Sequence, residues 1–531
     1  MRTVRFWPWL AAIFSGVLLT LCFSPFDQDW LCWVALTPLS AAVWFGGGAS
    51  IKRAALLGYV TGLVFFWGVF SWLTTVTAVG WFFLAFYLAL FPAAWAAFLG
   101  AVRPGAGDFT RSLPNLLLAT LGASAWVALE WLRGLGAISF GWDGLGVALH
   151  RSLSLIQIAE FTGVGGVSFL VAFTNLIALL TVLRLYREVQ LGRFRAHLDF
   201  SFNMLLIAGV FGFGASKFLA PADQTAFPLR VAAVQADIPQ TEKFDPEFNK
   251  MICERYAALT ECALASRPQL LLWPESATPG SMFGSQELFD FVRGFAQRGD
   301  INFLLGTLDF DKANNDYNIA ALFTNHGETL QTYRKMHLVP FGEYIPWRHA
   351  FPPFEWIIGK LVPSDFTPGT QHTILQMKDP QIKVGALVCF EDTLGDLTRR
   401  FVKGEGDQGG AQLLVNVTND GWFLRSQGSA QHLANAVFRA VENRRPLLRA
   451  ANTGVTAFID PLGRITHSFK INGGPFGKGF LAGTVTIPAQ NAPQTFYTRQ
   501  GERFSQACAV LTLGALGSLA LRRRNPFQSV S

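Results

Sequence analysis

Charge is scarce in this chain. Asp, Glu, Lys and Arg make up only 15% of its 531 residues, against about 25% in an ordinary soluble domain. That deficit excludes a wholly water-soluble protein. The net charge of +7 does not signal nucleic-acid binding, because the basic residues cluster in loops between apolar segments. Cysteine is also sparse. Cys22, Cys32, Cys253, Cys262, Cys389 and Cys508 form no Cys-x-x-Cys pair and no zinc spacing. Cys253 and Cys262 lie too far apart on one expected helix to bridge easily, so a disulfide framework is excluded. There is no Gly-x-Ser-x-Gly elbow, no His-Glu-x-x-His and no close histidine pair. Gly46-Gly47-Gly48 lies between apolar segments and opens no phosphate-binding helix. No metal, nucleotide or other cofactor is expected. Internal repeats and low-complexity stretches are lacking too.

What the chain has instead is apolar and aromatic bulk. Hydrophobic residues reach 51%, with 49 Phe and 16 Trp, and the mean hydropathy is +0.31. The length calls for two or more domains. Eight apolar segments stand out, at about 6–23, 30–45, 54–73, 79–99, 113–131, 167–183, 204–219 and 504–521. Several fall short of the ~20 residues that cross a bilayer comfortably, and the second and seventh are the weakest. Ser24-Pro25-Phe26-Asp27 after the first offers no small-residue cleavage site, so that segment reads as a span rather than a signal peptide. If all eight span, every basic cluster falls on one side: Arg2/Arg5, Lys52/Arg53, Arg103/Arg111, Arg184–Arg195 and Arg522–Arg524. That side is cytoplasmic. Both termini are then cytoplasmic, and residues 220–503 face the opposite side. The expected domains are a helical bundle at 1–219, a soluble α/β domain at 220–503, and a last helix with a basic tail at 504–531.

Within 220–503, strand-like runs are expected at 229–235, 269–273, 302–308, 319–323, 382–389, 412–417, 447–451 and 455–459. Helices are expected at 246–266, 286–298 and 431–442. Strands mixed with helices imply packed α/β layers. Between Val339 and Thr370 the pattern breaks into a Pro-rich loop carrying Trp347, Phe351, Phe354, Trp356, Ile357 and Ile358. Its apolar content argues against disorder, and a loop this long reads as a lid or interfacial arm.

Three stretches share one pattern, a strand followed by an ionisable residue. Leu271-Leu272-Trp273-Pro274 leads to Glu275, Thr332-Tyr333-Arg334 leads to Lys335, and Val384–Val388 leads to Cys389. Taken singly, each has a plain structural reading: a helix cap, a surface charge, a buried thiol. Converging on one sheet rim, they form a set for thiol acyl transfer. A carboxylate takes the proton, an ammonium stabilises thiolate and oxyanion, and the thiolate attacks a carbonyl. His337 and His432 read as satisfied structural histidines, and Glu130, ending an apolar segment, should face protein or the interface.

Trp273-Pro274-Glu275, Lys335 and Cys389 resemble, in order and spacing, the Glu-Lys-Cys triad of the nitrilase or carbon–nitrogen hydrolase superfamily. Lys335-Met336-His337-Leu338-Val339-Pro340-Phe341-Gly342-Glu343-Tyr344-Ile345-Pro346 resembles the signature of the bacterial apolipoprotein N-acyltransferase family. So do Asn416–Phe423 and Arg439–Pro446, and so does the arrangement of seven apolar segments before the soluble part and one after. The resemblance implies an αββα sandwich, with Glu275 as base, Lys335 as oxyanion and thiolate stabiliser, and Cys389 as nucleophile. It implies Glu343 as a further carboxylate, a backbone oxyanion donor at Phe390, and Glu391 beside the nucleophile in an unassigned role. Phe390 and Phe244 depart from the family, which often has Tyr and Trp there. Phe244 and the loop aromatics are the expected lipid contacts. The implied activity moves an acyl chain from a membrane phospholipid, through a Cys thioester, to the amine of diacylglyceryl-cysteine on an apolipoprotein. The implied location is the bacterial inner membrane, with the catalytic domain periplasmic and the protein a monomer. The rival reading is a membrane-tethered amidase that uses the same triad with water as acceptor.

Overall fold

The structure, a computed structural model, describes residues 6–46, 50–103, 108–136, 138–221, 224–299, 301–324, 326–348, 350, 356, 364–404 and 409–524. They divide into two compact units: one within 1–135, 140–219 and 502–531, the other within 136–139 and 220–501. The loop residues Phe351, Phe354, Ile357 and Ile358 lie outside the described residues.

The first unit is helical. Among the described residues, five helical stretches are long and apolar enough to cross a membrane: Ala78–Ala101, Ser112–Arg133, Val164–Leu191, Leu198–Leu219 and Arg503–Leu521. Trp7–Leu21 and Asp29–Phe45 are shorter, as the sequence suggests. The expected span at 79–99 is two abutting helices, Ala78–Leu88 and Leu90–Ala101. Pro92 explains the interruption, because it has no N–H to return to the preceding turn. Large apolar side chains such as Leu205, Phe211, Val510 and Leu513 are exposed on the outer faces of their helices. Such faces suit hydrocarbon rather than water, and this is a membrane protein. Buried charge inside the unit is met by polar partners at two places. Arg184 bridges Glu188 at 2.9 Å and Asp199 at 3.2 Å, and Glu130 accepts the Trp126 indole N–H and the Leu145 backbone N–H.

The second unit is an αββα sandwich of two six-stranded sheets. Its strands are β1 (Phe227–Gln235), β2 (Leu270–Leu272), β3 (Asn302–Phe310), β4 (Asp316–Thr324), β5 (Thr329–Arg334), β6 (Ile374–Gln376), β7 (Lys383–Val388), β8 (Leu413–Thr418), β9 (Leu447–Ala451), β10 (Ala457–Ile459), β11 (Ile465–Ser468) and β12 (Gly479–Ile487). One sheet runs β12-β1-β2-β3-β4-β5 and the other β11-β10-β9-β8-β7-β6. Strand alternation divides the core. Leu229, Val231 and Ala233 of β1 pack with Val384, Ala386 and Val388 of β7 between the sheets. Ala232 and Val234 face outward onto Ile252 and Tyr256 of helix Asn249–Leu264 and Phe295 of helix Gln286–Gly299. Helices Gly395–Lys403 and Gly428–Asn443 complete the layers. Gly385 lets helix Gly395–Lys403 sit close, since a Cβ there would meet Phe401 Cβ at 2.8 Å.

Four strands have no counterpart among the expected runs: β5, β6, β11 and β12, although Thr332–Arg334 of β5 is read as strand-like beside Lys335. β6 has only three residues. β11 is a half-exposed edge strand, and β12 carries two glycines and alternates between exposed and buried only over its last four residues. β12 is nevertheless the partner of β1, antiparallel from Phe227↔Ile487 to Gln235↔Gly479.

Trp273 anchors the outer layer. It is buried, donates to Thr260 Oγ1 at 2.9 Å, and packs on Tyr256, Phe295 and Phe303. Trp273→Ala should destabilise the second unit by about 3–5 kcal/mol, measured by denaturant unfolding of the detergent-solubilised protein. A loss under about 1 kcal/mol would contradict this packing role.

Candidate active site

Glu275 follows β2. Pro274 has no N–H to continue the ladder, and the backbone turns out of the sheet against Gly306 of β3. The Gly306 N–H donates to Pro274 O at 3.1 Å. A Cβ on Gly306 would fall 2.5 Å from Glu275 Cα, so only glycine allows this approach. The carboxylate is buried and directed by two donors. Asn318 Nδ2 donates to Oε1 at 2.7 Å, and the Asn419 N–H donates to Oε2 at 2.9 Å.

Lys335 follows β5, with its N–H on Asn318 O at 2.8 Å. Its side chain is 1% exposed, with Nζ 2.8 Å from Glu343 Oε2 and 3.9 Å from Glu275 Oε1. Burial disfavours the ammonium, but Glu343 and Glu275 outweigh it and hold the pKa above the ordinary lysine value. Glu343 also accepts from the Val339 N–H at 2.8 Å and from Asn318 Nδ2 at 2.9 Å. Asn318 thus bridges both carboxylates.

Cys389 begins the 3-10 turn Cys389–Thr393, directly after β7. It is a free thiol, 9% exposed. Its φ of +53° lies in the left-handed region, a strained setting for a side chain with a Cβ. Burial, then the Glu275 carboxylate, push the thiol well above its usual pKa, while Lys335 and a hydrogen bond with Thr418 pull it down. The surroundings therefore favour the neutral thiol.

Glu391 holds the turn. Its Oε1 accepts from Tyr333 Oη at 2.8 Å and from the N–H groups of Met336 at 2.8 Å and His337 at 3.0 Å. Its Oε2 accepts from the Val388 N–H at 2.8 Å. One fully buried side chain ties the backbone beside Lys335 to the backbone beside Cys389. Sequence alone gave Glu391 no role; its surroundings make it a brace. Burial pushes its carboxyl up to about 7, against the pull of Lys335 and these donors.

Residues 15–177 match the model of the apolipoprotein N-acyltransferase N-terminal domain, and residues 230–474 match that of the carbon-nitrogen hydrolase family. The apolipoprotein N-acyltransferase of Geobacter metallireducens is 35% identical over 97% of this chain and 96% of its own length. That of Methylococcus capsulatus is 34% identical over 86% of each. The chain belongs to the apolipoprotein N-acyltransferase family. An amidase from Nesterenkonia sp. AN1 aligns with 52% of this chain and 98% of its own at a TM-score of 0.38 and 20% identity.

The second unit of this family member brings Glu275, Lys335, Glu343, Cys389 and Glu391 into one network of contacts and fields. Phe390 is buried, its ring stacked on His337 at 6.1 Å. Of the expected lipid contacts, Phe244 is 55% exposed, Trp347 54% and Trp356 87%. Sequence reading missed Asn318 and the orienting role of Asn419. A neutral amide beside a strand carries no pattern of its own, although Asn419 stands inside the quoted Asn416–Phe423 stretch.

The raised carboxyl of Glu391 fixes the sign of a pH effect. Its folded pKa of about 7 lies above the ordinary 4.5, so the folded state binds more protons between these values. Stability falls as pH rises from about 4.5 to about 7. In Glu391→Gln this part of the slope should vanish, as read from denaturant midpoints of wild type and variant across that window. The amide also leaves at least one backbone N–H without an acceptor, a loss of about 1–3 kcal/mol. Superimposable pH profiles would show that Glu391 does not titrate there.

Proposed function

We propose that the protein transfers a fatty acyl chain from a membrane phospholipid to the amine of diacylglyceryl-cysteine on an apolipoprotein. The observation that carries this reading is the setting of Cys389: buried at a strand end, in the fields of a buried carboxylate and a buried lysine. Glu275 takes the thiol proton as Sγ attacks the sn-1 ester carbonyl. The oxyanion is met by Lys335 and the Phe390 backbone N–H. The C–O bond breaks, the glycerol oxygen takes the proton from Glu275, and a lysophospholipid leaves a thioester on Cys389. The lipoprotein amine then attacks the thioester, passes a proton to Glu275, and the thiol reforms as the amide departs. Glu343 neutralises Lys335 throughout, so that Glu275 stays available as a base. Exposed Phe244, Trp347 and Trp356 offer apolar contact to lipid chains.

The basic loops support eight spans, with both termini cytoplasmic and residues 220–503 in the periplasm of a bacterium with an outer membrane. On this reading the bundle is 1–219, the catalytic domain 220–503 and the anchoring helix and tail 504–531, working as a monomer.

Mass spectrometry of the full chain incubated with phospholipid should show one acyl mass on Cys389 and none in Cys389→Ala. A synthetic diacylated lipopeptide should discharge that acyl group at least about tenfold faster than water, a difference of about 1.4 kcal/mol in barrier. An adduct persisting in Cys389→Ala would sink the mechanism. Discharge by water as fast as by lipopeptide would favour the hydrolase instead.

A further inference from the structure

A second lysine near Glu275 is buried without an ion pair among the described residues. Lys243 closes the short helix Gln240–Lys243 and is 3% exposed. Removing an ammonium from water is costly unless opposite charge or acceptors replace the hydration. Lys335, equally buried, has Glu343 at 2.8 Å. Among the described residues, Lys243 has neither an ion pair nor a side-chain hydrogen bond. The charge that acts on it is Glu275, and burial brings its pKa down to about 8 despite that carboxylate.

Gln240, three residues earlier and on the same face of the turn, repeats the pattern. Its Oε1 accepts from Asn419 Nδ2 at 2.9 Å, whereas its Nε2 is buried with no acceptor among the described residues. Asn419 also donates its N–H to Glu275 Oε2, which ties this turn to the catalytic carboxylate. The turn therefore offers two donors, one of them charged, and no matching acceptor. Its complement is an oxygen ligand with a single negative charge. The acceptor lipoprotein's amine in its ammonium form would be repelled. A phosphodiester fits.

We propose that Lys243 and Gln240 form a subsite for the phosphodiester of the acyl donor, holding its headgroup while the ester reaches Cys389. This rests on the acyl-transfer reading above. The subsite would make the enzyme select donors by their phosphate and tolerate different headgroups beyond it.

The test is acylation of Cys389 in the full chain, in mixed micelles, followed by intact mass. Three donors with identical chains are compared: phosphatidylethanolamine, phosphatidylglycerol and phosphate-free diacylglycerol. Wild type should prefer both phospholipids over diacylglycerol in kcat/KM, and Lys243→Gln should lower that preference about tenfold or more, mainly through KM. Lys243→Arg should restore most of it. Gln240→Leu should lower it in the same direction, which keeps the test open if the lysine variant fails to fold. Inorganic phosphate at the concentration of the donor should not displace phospholipid; if it does, the site takes free phosphate and the proposal fails. It fails equally if wild type uses diacylglycerol as well as phospholipid. It also fails if Lys243→Gln slows all three donors alike, for Lys243 would then act only as a counter-charge to Glu275. A wild type acylated by none of the three would overturn the acyl-transfer reading itself.

Discussion

The site depends on a lysine ammonium held almost wholly out of water. Lys335 can be buried only because two carboxylates face it, and they do so unequally. Glu343 sits in hydrogen-bonding contact at 2.8 Å, while Glu275 stands off at 3.9 Å. The closer carboxylate therefore carries most of the neutralisation. Asn318 enforces the asymmetry by donating one amide nitrogen to both acids, which fixes their separation. In the proposed reaction this matters more than the bare presence of three residue types. A Glu275 in direct contact with the ammonium would be a poorer base. A Lys335 without Glu343 would be drawn toward it.

The framework that delivers these groups is a set of strand ends, and that part was legible in the sequence. Glu275 follows β2, Lys335 follows β5 and Cys389 follows β7; in each case a β-like run stops at an ionisable residue. The motif resemblance reached further than periodicity could, to Glu343 and to the family itself. What stayed hidden was cross-chain. β12 pairs with β1 across some 250 residues of sequence, and only its last four residues alternate to announce it. Asn318 and Gln240 are neutral amides whose meaning lies in what they touch. Glu391 was visible as a carboxylate near the nucleophile, but its four donors come from β5, the residues after it and the end of β7. Nothing local to residue 391 reveals them. The loop aromatics stood out by composition, and composition alone does not place a loop.

The turn that carries Cys389 is held on a second side by groups to which the proposed reaction gives no role. Asp392, next to Glu391, accepts from Arg449 Nη1 at 2.8 Å and lies 2.7 Å from His432 Nε2. Arg449 and His432 also meet Asp420, at 2.8 Å and 2.9 Å. All four side chains are fully buried. Burial and the neighbouring Arg449 charge work against a protonated His432, yet Asp392 and Asp420 prevail and raise its pKa. The Arg449 guanidinium lies against both carboxylates, so the buried charges are paired and hydrogen-bonded. Asp420 immediately follows Asn419, whose N–H orients Glu275. The cluster therefore fixes the loop behind Glu275 and the turn that carries Cys389 together.

Opposed restraints of this kind explain how Cys389 keeps a positive φ. Glu391 pulls the turn toward the end of β5, and Asp392 pulls the next residue toward Arg449 of β9. Asn416 Nδ2 on β8 meanwhile holds the Cys389 carbonyl at 2.9 Å. A left-handed cysteine persists only where its surroundings over-determine it, and here three strands do so at once. Strain at the sulfur-bearing residue is thus maintained by polar contacts spread over β5, β8 and β9. Substitutions of the residues that make these contacts would reach Cys389 through its backbone before they reached it through its charge.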